Sequence, residues 1–465
     1  MVPGLSLASI PSYLTDGKMT DNYDVIVIGA GATGENVADR TQKGGLSIVI
    51  IESELAGGEC SYWACMPTKA LLRAGEGMRE AKRTHGVRGA VTGEIDVAEV
   101  LARRTAMTSD CDDKWQVQWL ESVNVPLARG HARFTGPKKV SVTNKEGVTS
   151  ELEANVAVVV ATGSVSLMPP IPGVESCEPW DNRDITAITE IPERMLIIGG
   201  GVVGVEMAQA MKDLGSKEVT IVELQDRLFP TEEPFAGEII EKVFTEEYGI
   251  KVVTGVGIRS FERSDSREVT AYLQDGQELV GDEILLALRR RPNTADIGLE
   301  TIGLQPGQTV QVDDYLRSTE VEGGWLYAAG DVNGRALLTH QGKYQARIVG
   351  DVILGKDITA WADNSAVPRV AFSDPQVAAI GLTESAARET GINLKVVEYG
   401  YGATEGAALR GEGIDGNTKI ITGEQLHAAT IAVVGKVTID KLWHAVPAYP
   451  TMSEFWLRLL EAYGM

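Results

Sequence analysis

The chain has 465 residues, 43% of them hydrophobic and 23% charged, the balance of an ordinary globular protein too long for one compact core. Its net charge of −22 repels phosphate backbones and anionic lipid, which argues against nucleic acid and membrane surfaces as partners. No apolar run approaches the roughly 20 residues that span a bilayer, and four cysteines are too few for a disulfide scaffold, so a cytoplasmic address is expected.

Taken in chain order, the first 22 residues carry no early basic cluster, and Pro11 interrupts an apolar stretch that is already short, so a secretory signal is not expected. Met19 reads as a natural start. Residues 24–31 form an apolar run ending in glycine and continue as Gly29-x-Gly31-x-x-Gly34, with a helix predicted through Ala38. Ile48-Val49-Ile50-Ile51 is a second buried strand and ends in Glu52.

Cys60 and Cys65 follow, five residues apart, a spacing that on one helix puts them on neighbouring faces within reach of a disulfide. Two buried apolar residues, a zinc pair and a redox pair all fit that spacing. Against zinc, Cys111 and Cys177 are isolated and show no ligand spacing, so no metal site is expected.

Val156–Ala161 reads as a buried strand ending in Thr162-Gly163, and Pro169-Pro170-Ile171-Pro172 as a domain crossing. Met195–Ile198 then leads into Gly199-x-Gly201-x-x-Gly204, a helix through Glu206 and Ala208, and the strand Val219–Val222 ending in Glu223. Leu285–Leu288 and Leu326–Ala329 are further strands, the latter followed by Gly330-Asp331. From about Val367 the pattern changes to strands and an amphipathic helix, Glu454–Ala462.

The glycine-rich unit therefore occurs twice. Glycine suits a backbone that must approach a pyrophosphate and then enter a helix whose N-terminal amides face the anion. An acid at the end of the second strand can accept from an adenosine ribose. One such motif is weak, but two copies in the full strand–turn–helix–strand–acid setting predict two dinucleotide sites.

The ordered series of the first glycine-rich turn, Gly57-Gly58-Glu59-Cys60-x4-Cys65-x-Pro67-Thr68-Lys69, Ala161-Thr162-Gly163, the second turn, Arg290-Arg291-Pro292-Asn293, Gly330-Asp331 and Pro450-Thr451-x-x-Glu454 resembles the flavoprotein disulfide reductases. That family includes dihydrolipoamide dehydrogenase, glutathione reductase and mercuric reductase. The resemblance implies an α/β fold of two nested Rossmann-like dinucleotide-binding domains plus an α+β C-terminal dimerisation domain. Its boundaries would be 22–165 and 296–364 for FAD, 166–295 for NAD(P), and 365–465 for the interface.

FAD would lie on the first unit, with Gly29, Gly31 and Gly34 at the pyrophosphate, Glu52 at the ribose and Asp331 at the ribityl chain. His131 and Ala132 would sit beside the adenine, and Gly58, Thr162, Gly163 and Gly330 belong to the same set. NAD would occupy Gly199, Gly201, Gly204 and Glu223. A carboxylate at Glu223 repels a 2′-phosphate, and Leu224 and Pro230 stand where NADPH users carry arginines, so NADH is expected; Arg227 nearby is the counter-argument. Lys69 would approach the flavin ring paired with Glu206. Cys65 would be the flavin-proximal thiolate and Cys60 the outward thiol that attacks a small-molecule substrate.

Several positions depart from the family. Tyr449 stands where disulfide-reducing members supply a catalytic histidine across a homodimer interface, although its Glu454 partner is present. Tyrosine, with an unperturbed pKa of about 10, is a poor base at neutral pH. His444 reads as an ordinary hydrogen-bonded histidine. Tyr62-Trp63-Ala64 replaces a small stretch and is expected to crowd the disulfide face, and Arg289 replaces a glycine and is expected to disturb its loop. A strand pair before Glu424 looks to be missing, which puts the dimer interface in question. The leading expectation is a dihydrolipoamide dehydrogenase-like enzyme. The alternative is an NAD(P)H-dependent reductase of quinones, dyes or metal ions, which has no need of the histidine.

Overall fold

The computed structural model describes residues 20–364, 366–391, 395–400, 412–413, 416–422, 437 and 439–446. β1 (Thr20–Ile28), α1 (Ala32–Lys43) and β2 (Ile48–Glu52) form the first strand–helix–strand unit. β1 and β2 are parallel, with Val25 opposite Ile48 and Ile28 opposite Ile51. Their apolar runs are buried on both faces, as strands in the middle of a helix-covered parallel sheet must be.

The chain then makes a short helix α2 (Gly58–Tyr62) and a long one, α3 (Cys65–Arg83). The cysteines therefore do not share one helix, contrary to the reading from their spacing. Ala64 at φ −137° and ψ −98° breaks the helical path. The Trp63 carbonyl is left without a helical partner and accepts from the Asn182 side-chain amide at 2.9 Å and the Thr186 hydroxyl at 3.3 Å.

α4 (Val97–Met107) and α5 (Lys114–Ser122) lead to β3 (Leu127–Arg129), parallel to β2. β4 (His131–Gly136) and β5 (Lys139–Thr143) meander antiparallel into β6 (Thr149–Val160). β6 begins seven residues before the expected Val156, because β5 holds its first residues, Thr149–Glu153, while β1 runs beside it from Glu151 to Val160. β7 (Ser164–Ser166) and α6 (Asn182–Thr186) carry the chain across to the second unit.

There β8 (Arg194–Ile198), α7 (Val202–Asp213) and β9 (Glu218–Val222) repeat the first plan. α8 (Pro234–Val243) precedes β10 (Lys251–Val253). A three-stranded antiparallel sheet of β11 (Ile258–Arg263), β12 (Val269–Leu273) and β13 (Glu278–Gly281) is followed by β14 (Glu283–Leu286). The parallel order is β10-β9-β8-β14.

β14 ends at Leu286 rather than Leu288, since the chain turns away to pair β15 (Arg290–Pro292) with β7. The expected disturbance from Arg289 is absent. Its side chain is exposed, and its carbonyl accepts from Leu167 N at 3.0 Å, extending the ladder.

β16 (Leu326–Ala328) returns to lie parallel beside β6 and completes the first sheet. α9 (Thr339–Ile353) covers that sheet next to α1. Beyond it come the antiparallel pairs β17 (Pro368–Ala371) with β18 (Val377–Ile380) and β19 (Lys395–Gly400) with β20 (Asn417–Thr422). α10 (Glu384–Glu389) and α11 (Ile439–Leu442) are the last described helices. The expected helix Glu454–Ala462 lies outside the described residues, as do Tyr449 and Glu454. No described helix is long and apolar enough to cross a membrane.

Candidate functional site

The two glycine-rich turns match in atomic detail. Gly29 (φ +101°) and Gly199 (φ +114°) occupy a backbone region that side chains strain, and a Cβ on either would meet a carbonyl oxygen, that of Ala161 or of Ala287. A Cβ at Gly34 or Gly204 would collide with the carbonyl of Gly29 or Gly199, so each helix sits tight on its turn. Gly31 and Gly201 are the N-caps of α1 and α7 and leave the first amides of those helices free of side-chain caps.

The acids repeat as well. Glu52 Oε2 accepts from Ala30 N at 2.8 Å and its Oε1 from Glu54 N at 2.8 Å. Glu223 Oε2 accepts from Gly200 N at 2.7 Å and its Oε1 from Gln225 N at 2.8 Å. Each carboxylate thus holds the middle amide of its own turn, while its remaining lone pairs stay available to a ribose. Burial raises the pKa of Glu52, and the amides of Glu54 and Ala30 oppose that shift.

The walls of the first unit suit a dinucleotide. Gly58 (φ +61°) presses on Gly31, where a Cβ would lie 2.8 Å from Gly31 Cα. Gly163 follows Thr162, whose buried hydroxyl has no hydrogen-bond partner among the described residues. A ligand with donor and acceptor oxygens would satisfy that hydroxyl. Gly330, at φ +81°, precedes Asp331, whose carboxyl is raised by burial and accepts from the Ser164 hydroxyl at 2.6 Å. Arg290 donates to the same hydroxyl at 2.8 Å and to the Ser164 carbonyl at 2.7 Å. His131 and Ala132 open β4; the His131 ring reaches the Asp296 carbonyl at 2.6 Å, and Ala132 is buried.

The cysteine pair straddles the break between α2, which carries Cys60, and α3, which begins at Cys65. Cys60 and Cys65 are free thiols that hydrogen-bond to each other, and Cys65 Sγ lies 3.4 Å from the Thr339 hydroxyl at the N-terminus of α9. The hydrogen bond from Cys60 brings Cys65 down to about 7, helped by Thr339 and by the Lys69 charge. The same bond, with burial, pushes Cys60 well up. These surroundings favour ionisation of Cys65 over that of Cys60.

Lys69, one turn further along α3, donates to Glu206 Oε2 at 2.7 Å. The other Glu206 oxygen accepts from Phe372 N at 2.8 Å, and the Lys69 ammonium lies 4.6 Å from the centre of the Phe372 ring. Glu206 is only 2% exposed, so both its oxygens need these partners. Neither Thr339 nor Phe372 carries a sequence motif; only the tertiary structure brings them here.

Tyr62 and Trp63 do not crowd the pair as expected, because other groups hold their rings. Tyr62 is buried with its hydroxyl on the Ala56 carbonyl and Gln116, each at 3.0 Å. The Trp63 ring lies 4.1 Å under the Arg183 guanidinium, which in turn pairs with Glu54 and Glu59. His444 Nδ1 meets the Tyr344 hydroxyl at 3.0 Å and its ring stacks 4.9 Å from Trp361, as a hydrogen-bonded packing histidine would. Arg227 turns toward its own loop, donating to Asp226 at 3.2 Å and the Pro230 carbonyl at 3.1 Å. No described group of three or more His, Cys, Asp or Glu could hold a metal ion.

Residues 23–346 match the pyridine nucleotide-disulphide oxidoreductase family, and residues 367–425 match its dimerisation domain. The chain belongs to that family.

Among curated relatives of this oxidoreductase is the dihydrolipoyl dehydrogenase of Thermus scotoductus, 31% identical over 95% of this chain and 97% of that one. The mercuric reductase of Staphylococcus aureus is 29% identical over 94% of this chain and 82% of its own length. Among solved structures, the HOCl-induced flavoprotein disulfide reductase RclA of Escherichia coli superposes with a TM-score of 0.74 at 24% identity, covering 94% of this chain and 99% of that one, a likeness of fold. The family and its relatives make this an enzyme: a flavoprotein oxidoreductase that binds FAD and a pyridine nucleotide and works through a disulfide redox centre.

Proposed function

We propose that this oxidoreductase passes electrons from NADH through FAD to the Cys60–Cys65 pair and on to a small disulfide or thiol substrate, in the manner of a dihydrolipoamide dehydrogenase. The observation that carries this reading is the polarised pair itself, with a thiolate at Cys65 held by Cys60, Thr339 and Lys69. FAD would rest on Gly29, Gly31, Gly34, Gly58, Glu52, His131, Ala132, Thr162, Gly163, Gly330 and Asp331. When bound it supplies two-electron transfer between nicotinamide and disulfide.

The protein's own groups do the remainder. Lys69, fixed by Glu206, keeps a positive charge beside the pair that favours the reduced, anionic state. Cys60, the protonated partner, is the outward nucleophile and must lose its proton to react. Gly199, Gly201, Gly204 and Glu223 would hold the nicotinamide nucleotide, and the turned-away Arg227 supports NADH over NADPH. The units 22–165 with 296–364, and 166–295, are assigned to the two nucleotides, and 365–465 to a homodimer interface, in keeping with the dimerisation-domain match.

A second reading is favoured by one position. Tyr449 replaces the histidine base of the disulfide-reducing members, and a reductase of quinones, dyes or metal ions has no use for that base. The deciding experiment follows NADH consumption with lipoamide, small-molecule disulfides, quinones and mercuric ion. Rapid lipoamide turnover supports the first reading. Turnover with quinones or mercuric ion alone replaces it with the second.

A further inference from the structure

α2 carries Cys60 at its centre and is only five residues long, Gly58–Tyr62. A helix that short does not hold itself in water, so its place beside α3 must be fixed from outside. Asn182 of α6 supplies two of the holds. Its side-chain amide donates to Glu59 Oε2 at 2.8 Å and to the Trp63 carbonyl at 2.9 Å. Glu59 and Trp63 flank Cys60 one helical turn apart, with Trp63 N donating to the Glu59 carbonyl at 2.8 Å. On its other side, the Asn182 oxygen accepts from the Ser166 hydroxyl at 3.0 Å and from Arg290 at 2.9 Å. Two donors facing the oxygen and two acceptors facing the nitrogen fix which way the amide points, and they fill all its hydrogen-bonding positions.

α6 is itself well anchored. Two residues before Asn182, Trp180 N donates to the Ile284 carbonyl at 2.8 Å, and the Trp180 carbonyl accepts from Leu286 N at 2.9 Å. These bonds fasten the segment to β14. Asp181 and Asp184 close a capping box over the first turn. Arg183 adds a second hold on the same stretch, donating to Glu59 Oε1 at 2.6 Å while its guanidinium covers the Trp63 ring. Arg290 carries the contact on to the Ser164 hydroxyl, which donates to Asp331. Asn182 thus stands between the break that separates the cysteines and the polar wall of the first dinucleotide site.

We propose that Asn182 is a positioning residue for the redox pair: by gripping both flanks of Cys60 it holds that thiol against Cys65 and favours the disulfide over the dithiol. The proposal rests on the reading of Cys60–Cys65 as the redox pair. The physical reason is shared ordering. A Cys60–Cys65 bond and the Asn182 grip immobilise the same short stretch, so once either is in place the other costs less entropy to form. Without the grip, the effective concentration of Cys60 at Cys65 falls and the disulfide becomes easier to reduce. A contact that merely kept the protein folded would act equally on its oxidised and reduced native forms and leave that balance where it is.

The test equilibrates the holoenzyme anaerobically with mixtures of reduced and oxidised dithiothreitol, quenches in acid, and measures the Cys60–Cys65 disulfide by alkylation and mass spectrometry. In that exchange one reduced dithiothreitol gives two electrons and two protons to the pair. The Cys60–Cys65 bond breaks, two thiols form, and the dithiothreitol closes to its cyclic disulfide. N182A and N182D should each be half reduced at about one tenth of the wild-type ratio of reduced to oxidised reagent, the loss expected of a net hydrogen bond and equal to about 30 mV. N182D is the sharper variant, because its carboxylate still accepts from Ser166 and Arg290 but cannot donate to Glu59 or Trp63. V269A, which opens a cavity in the three-stranded sheet, should lose stability and keep the wild-type midpoint. Asn182 variants whose midpoint equals that of wild type, or moves to a higher ratio, overturn the proposal. If neither variant folds, T186V decides: it removes the second donor to the Trp63 carbonyl, and an unmoved midpoint there overturns the proposal instead. Failure of the underlying reading looks different: Cys60 and Cys65 of the wild type would then stay unlinked at every ratio.

Discussion

The Lys69 ammonium donates to Glu206 Oε2 at 2.7 Å across 137 residues of sequence, tying α3, which begins at Cys65, to α7, the first helix of the second glycine-rich unit. Glu206 is nearly fully buried, and Lys69 is its only described charged partner. Replacing Lys69 by Met leaves that carboxylate with a single amide donor and should cost about 3 kcal/mol of stability, read by urea denaturation. Glu206→Gln should cost less, because the amide oxygen still accepts from Phe372 N. Equal stability of Lys69→Met and wild type would mean that water, not the ion pair, satisfies Glu206.

The cysteine pair should act as a second electron acceptor. Anaerobic NADH titration of the holoenzyme should consume more than the two electrons that a lone flavin accepts. Cys65→Ser should reduce the uptake to that of the flavin. Identical titrations of wild type and Cys65→Ser would remove the pair from the mechanism.

The pH dependence of the reduced enzyme has a definite sign. Cys65 is an acid whose pKa is lowered to about 7, so its thiolate persists at neutral pH and is lost as pH falls through that value. A long-wavelength absorbance of thiolate against flavin should therefore fade below about pH 7. Thr339→Val, which removes a hydroxyl hydrogen bond to Cys65, should move the fading to higher pH. A midpoint unmoved by Thr339→Val would assign the stabilisation to Cys60 and Lys69 alone.

Cofactor preference should follow Glu223. NADH should exceed NADPH in kcat/KM, and Glu223→Ala should narrow the ratio about tenfold, ~1.4 kcal/mol, by relieving repulsion of the 2′-phosphate. A wild-type preference for NADPH would make Arg227 swing out of its contact with the Pro230 carbonyl.

Tyr449 sets the last expectation. General acid–base help is typically worth about 10²- to 10⁴-fold, so Tyr449→His should raise lipoamide turnover while leaving quinone reduction little changed. Unchanged lipoamide turnover in Tyr449→His would place proton transfer with another group.

The sequence by itself determined the two glycine-rich units. Local chemistry suffices for them: an apolar strand, a glycine wherever a Cβ would strike a carbonyl, and an acid that reaches back to the turn amide. The same chemistry put Cys60 and Cys65 together, but not their setting. Spacing suggested one helix, whereas Asn182 and Thr186, more than a hundred residues away, hold the carbonyl at its break. Tyr62 and Trp63 look obstructive in sequence because their partners, Gln116 and Arg183, are distant. A thiolate at Cys65 was already implied by the resemblance; what only the tertiary structure supplied is Thr339, whose hydroxyl meets the Cys65 sulfur across 274 residues of sequence. Packing of α1 against α9 is likewise tertiary: Arg40 donates to both oxygens of Asp351 across 311 residues, a pairing that no local pattern encodes.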